Sequence, residues 1–167
     1  MKRHMLASAL ALLLLAGPPV LADDASPVPE TVTFVVSTGF WEEPVEEDAE
    51  ENAKPETADA DKPAAMRRGY YKLIAVRQPD GTAEVHLQQI EATPDGPKVA
   101  SSTVLDEFSA MKPYVTDIRP ENSSGVTTQP GLFATVYLKT DPKVTEPESW
   151  TVLIDDLGEI KVERATN

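Results

Sequence analysis

Two Pro-Asp-Gly triplets, starting at Pro79 and Pro94, bracket a run of mostly alternating apolar and polar residues from Ala83 to Ala92. Proline presets the first corner of a tight turn, aspartate folds its side chain back onto the backbone, and glycine accepts a positive φ. Alternation between two such turns marks a half-buried strand entered and left through hairpins. A chain punctuated this way is expected to build antiparallel sheets from sequence neighbours.

The flanking segments carry the same pattern. Thr31 to Ser37 is β-branched and aromatic and would place Val32, Phe34 and Val36 on one face. Gly69 to Arg77 is a second strand, the hairpin partner of Ala83 to Ala92. In that partner Val85 and Leu87 share a face while Ile90 and Ala92 fall on the other. An extra residue near Gln88 and Gln89, a β-bulge, would restore the phase. Lys98 to Leu105 is polar and suits an edge. Asp106 to Lys112 reads as one or two helical turns, capped by Asp106, with Phe108 and Met111 on one side and Pro113 as the stop.

Tyr114 to Arg119 is a further strand, and Glu121 to Gly131 a polar loop. Leu132 to Lys139 alternates most cleanly. Leu132, Ala134, Val136 and Leu138 point one way; Phe133, Thr135, Tyr137 and Lys139 point the other, and their partly apolar character predicts a covered or central strand. Trp150 to Asp155 and Glu159 to Arg164 close the chain as a hairpin, with Ile160 and Val162 facing the same core as Trp150, Val152 and Ile154. About eight short strands, and no helix long enough for a parallel crossover, predict an all-β fold. The expected domain is a single antiparallel β-sandwich or open barrel over residues 31–164.

The residues ahead of it are of another kind. Lys2, Arg3 and His4 are basic, Leu6 to Ala16 is apolar, and Val20-Leu21-Ala22 offers small residues at a cut before Asp23. These are the three parts of a secretory signal peptide over 1–22, leaving 23–30 as a short N-terminal extension. The apolar run is too short to span a bilayer, and no later segment is apolar enough, so no stable membrane insertion is expected after cleavage. The chain has no cysteine. That removes disulfides, thiolate metal sites, cysteine nucleophiles and a lipidated cysteine, and leaves strand packing as the main source of stability. A periplasmic or secreted address follows.

After the signal peptide the chain keeps 13 Lys and Arg against 28 Asp and Glu, a net charge of −15. Nucleic acid and anionic membranes are therefore poor partners, because phosphate contacts need a positive face. Ten of the acidic residues lie between Glu42 and Lys62. Residues 42–66 read as a long, disordered acidic insertion, since so much like charge with so little apolar surface cannot be buried.

Candidate chemistry is sparse. His86 is the one histidine beyond the signal peptide and faces away from Val85 and Leu87. Ser109-Ala110-Met111-Lys112 fits the S-x-x-K pattern of penicillin-binding proteins and class A β-lactamases, in which a helix sets lysine one turn after the nucleophile. The companion S-D-N triplet is absent, and Lys139-Thr140 is followed by Asp141 rather than glycine. Asp106-Glu107 and Asp155-Asp156 are acidic pairs, but strand neighbours point to opposite faces, so they read as cap and turn residues. Asn122-Ser123-Ser124 fits a glycosylation acceptor in a polar loop.

Phe40, Trp41, Tyr70 and Tyr71 flank the acidic insertion, whose ends should meet if it joins two paired strands. They form a possible interaction surface, with core packing as the competing role. No catalytic, cofactor or metal site is expected. The expected function is a non-catalytic exported domain that binds or scaffolds an envelope or secreted component. A carrier with a hydrophobic cavity is the alternative, and a hydrolase the third reading.

Overall fold

The computed structural model describes residues 28–45, 65–121 and 128–166. The residues read as a signal peptide, most of those read as an acidic insertion and the Asn122-Ser123-Ser124 triplet lie outside them. Eight strands and one short helix follow in order: β1 (Val32–Pro44), β2 (Met66–Arg77), β3 (Ala83–Thr93), β4 (Gly96–Val104), α1 (Asp106–Met111), β5 (Tyr114–Pro120), β6 (Leu132–Lys139), β7 (Glu148–Ile154) and β8 (Ile160–Arg164). They make two four-stranded antiparallel sheets, β1-β2-β3-β4 and β5-β6-β7-β8, each in chain order. Among the described residues no helix is long and apolar enough to cross a membrane.

The turns do what their residues predict. Between β2 and β3, Asp80 Oδ1 accepts hydrogen bonds from the Thr82 amide and hydroxyl while Gly81 takes φ 86°. Between β3 and β4, Thr93 faces Gly96 across Pro94 and Asp95. Between β7 and β8, Asp155 Oδ1 accepts from the Leu157 and Glu159 amides.

The inner faces of the sheets pack on each other. Tyr71, Leu73, Ala75, Val85 and Leu87 of the first sheet meet Val115, Ile118, Ala134, Val136, Leu138, Val152 and Ile154 of the second. Phe108 of α1 plugs one end, fully buried and edge-on to Trp150 with ring centroids 6.4 Å apart. Burying each of these larger side chains is worth about 1.5–3 kcal/mol, which is how a disulfide-free domain of this size stays folded.

Four local expectations change. A register shift between Val32 and Phe34 turns Val32 off the face of Phe34 and Val36, and only the latter two pack on the core. The bulge beside Gln89 and Ile90 exists, but its extra residue is Ala100 on β4, while β2 and β3 pair without a break. Ile90 therefore stays on the face opposite Val85 and Leu87, buried beside Tyr70 rather than in the main core. Leu105, not Asp106, is the helix N-cap, with no side-chain capping bond; Asp106 and Glu107 sit in the first turn, where the helix dipole favours acids. The paired strands also extend into the stretch read as insertion. Glu42 faces Arg68 and Glu43 faces Arg67, because opposite charges across an antiparallel pair offset the repulsion that the acidic residues feel alone.

The two long sides of the sandwich differ. On one, β1 lies against β5 and β6, and a backbone bridge sews the sheets together. The Phe40 amide donates to the Gly131 carbonyl at 3.1 Å, and the Gly131 amide to the Phe40 carbonyl at 2.7 Å. Gly39 (φ 68°) and Gly131 (φ 128°) both take backbone angles that suit glycine; a Cβ on Gly39 would strike the Gly131 carbonyl across the seam, and one on Gly131 would strike the Ile154 carbonyl of β7 within its own sheet. On the other side β4 and β8 end their sheets, and no hydrogen bond joins them among the described residues.

Candidate functional site

The four aromatics singled out beside the acidic stretch do not form one exposed cluster. The irregularity at Gly39 and Phe40 restores Trp41 to the inner face opposite Gly69, where it is 4% exposed; Tyr71 is 3% exposed. Burial pushes the Tyr71 phenol above its ordinary pKa. Phe40 is half-buried at the seam, and Tyr70 is half-buried on the outer face of the first sheet beside Ile90. Two of the four thus serve the core, the competing role for which large rings are suited.

Residues with catalytic patterns are placed apart. The helix stops at Met111, and Lys112 is its C-cap in the left-handed region at φ 49°. Lys112 is therefore not stacked one helical turn above Ser109, whose hydroxyl is buried and makes no hydrogen bond. His86 lies on the outer face between its cross-strand neighbours Ile74 and Val104, its Nε2 3.3 Å from Glu84 Oε2. Asp155 is committed to its turn. No group of three or more metal-ligating side chains occurs among the described residues.

Among the described residues the inner faces pack closely, and a space of about 210 Å³ lies between the sheets on the open side, between Tyr71, Leu87, Ile154 and Ile160 with polar Ser101 and Thr103. Pockets that enclose small molecules run from about 300 to 1,000 Å³.

The outer face of the second sheet is a different kind of surface. Phe133 of β6 and Leu153 of β7 are directly opposed, and both stand in the solvent, 48% and 38% exposed. Both strands are central in their sheet, so this is not an edge effect. Thr135 and Thr151 form the next cross-strand pair, then Tyr137 and Ser149. The Arg119 guanidinium lies 5.0 Å from the Tyr137 ring and is ion-paired with Asp117, which raises the arginine's pKa through that hydrogen bond. Glu121, Glu163 and Arg164 complete the border of a shallow groove of about 620 Å³. An apolar centre with a charged border is the composition of a protein-binding patch. The alternation predicted a covered or central strand; β6 is central in its sheet, and Phe133 on its outer face is exposed.

Comparison with known proteins returned no matching family model, no matching curated protein and no matching solved structure.

Proposed function

We propose that the chain is a non-catalytic, exported β-domain that binds another envelope or secreted protein through the outer face of its second sheet. The leader-like residues 1–22 support export. The observation that carries the binding role is the Phe133–Leu153 pair, exposed at the middle of a sheet whose other face is already packed. Small apolar residues scattered singly on a surface call for no partner, but two large ones directly opposed in a groove do. The close packing of the inner faces among the described residues favours this reading over a carrier of a hydrophobic ligand. The acidic balance directs it away from nucleic acid.

The test is affinity capture from an envelope extract with the wild-type protein and a Phe133→Ser/Leu153→Ser double variant. Both side chains are outside the core, so circular dichroism of the variant should match the wild type. A defined protein retained by the wild type and lost by the variant is the expected result. The same proteins retained by both, or a co-purifying lipid with no protein, would overturn it.

A further inference from the structure

Five basic residues of this acidic chain have carboxylate partners: Arg67 with Glu91, Lys98 with Asp95, Arg119 with Asp117, Lys161 with Glu163 and Arg164 with Glu148. Lys112, Lys139 and Arg77 have none within 4.0 Å among the described residues, and they converge on one end of the sandwich. A cavity of about 480 Å³ opens there between the β2–β3 turn, the C-terminus of α1, the first residue of β5 and the end of β6. That volume lies within the small-molecule range. Both lysines line it, together with Tyr114, a residue 46% exposed. The Arg77 guanidinium stacks 4.3 Å from the centre of that ring, and its Nε is buried without a hydrogen-bond partner.

Two further features fit a built site. Lys112 is the one non-glycine residue with positive φ among the described residues, at a helix end where glycine or asparagine is the unstrained choice. Strain of this kind persists where a side chain must be put in a given place. Asp80, the one carboxylate among the described residues that line the cavity, has its Oδ1 committed to Thr82, whose amide and hydroxyl donate to it at 3.0 and 2.6 Å; these bonds, with the nearby Lys112 charge, hold its pKa below the ordinary value. The lysines and Arg77 outnumber it, in a molecule whose overall field repels anions.

We propose that this end of the sandwich binds a small organic anion, with a carboxylate or phosphate held by Lys112 and Lys139 and an aromatic or apolar body laid against Tyr114. The site lies apart from the Phe133–Leu153 groove and stands or falls independently of it.

The purified protein should be titrated by NMR with 1-naphthyl phosphate, 1-naphthoate, inorganic phosphate and neutral 1-naphthol. The two organic anions are expected to shift the amides of Thr82, Tyr114 and Thr140, and to bind at least about tenfold more tightly than inorganic phosphate or 1-naphthol. A Lys112→Gly/Lys139→Gln variant should weaken them about tenfold or more, as loss of charge-assisted hydrogen bonds does. Its thermal midpoint should hold or rise, because glycine relieves the left-handed position. Absence of those shifts, unchanged affinity in the variant, or equal binding of 1-naphthol would overturn the anion site. Equal binding of inorganic phosphate would overturn the part assigned to Tyr114.

Discussion

The two long sides of this sandwich are built from the same kind of strand and behave in opposite ways. On the closed side, β1 reaches across to the second sheet and two glycines let backbone meet backbone. On the open side, β4 is exposed along nearly its whole length and β8 is only five residues long. Free edges invite pairing with other chains, and these two carry the usual defences. β4 has Pro97, Lys98 and the bulge at Ala100; β8 has Lys161, Glu163 and Arg164. One side is therefore held by close approach, and the other is kept from being joined.

The largest expected effect tests the seam. Gly39→Ala adds a Cβ into the Gly131 carbonyl across the seam, at a backbone angle that alanine avoids. It should cost about 3 kcal/mol or more in urea denaturation. A loss under about 1 kcal/mol would mean that the seam is not what holds the sheets together. Next comes a paired comparison across the second sheet. Val152→Ala on β7, fully buried, should cost about 2 kcal/mol, and Val162→Ala, its half-buried neighbour on β8, about half that or less. Equal losses would erase the distinction between interior and open side.

A smaller effect concerns pH. Arg67 donates two hydrogen bonds to the Glu91 carboxylate, at 3.1 and 2.9 Å, and holds its pKa below the ordinary glutamate value. A depressed carboxylate stabilises the fold above its unfolded pKa and loses that contribution as pH falls through the folded one. Glu91→Gln should therefore flatten the acid limb of the stability profile below the ordinary glutamate range and leave its shape at neutral pH unchanged. A limb as steep as that of the wild type would remove this pair from the account. The smallest change in stability belongs to the edge. Pro97→Thr with Lys98→Val should shift the melting temperature little but raise self-association with concentration in sedimentation velocity. A variant that stays monomeric would show that β4 needs no such protection.

Much of this was legible in the residues. The strand alternation of Leu132 to Lys139, the hairpins at Pro79 and Pro94, the edge position of β4 and the all-β class all follow from local pattern, because period-two burial and turn chemistry are local. What was not legible depends on distant partners. No feature of Phe40 or Gly131 announces their bridge. The side of a bulge is decided by the neighbouring strand, which is why the extra residue is Ala100 and not one near Gln88. Core packing of Trp41 and Tyr71 was open to the sequence as a role, but the irregularity at Gly39 that turns the indole inward was not visible in it. The apolar outer face of β6 fitted a covered or a central strand, and local pattern could not decide between them; the strand is central and Phe133 stands exposed. The cations at Arg77, Lys112 and Lys139 come from separate segments, so no motif could join them.

The seam also has a bearing on the order of folding. Every other strand pairing joins chain neighbours, so each sheet can form as a succession of hairpins with small loop-closure entropy. Phe40 and Gly131 must find each other after both meanders exist, which makes their bridge a late event. Such late contacts govern how slowly the folded molecule comes apart more than how quickly it assembles. In stopped-flow kinetics, Gly39→Ala should act mainly on the unfolding rate; an equal slowing of refolding would place the bridge in the nucleus instead.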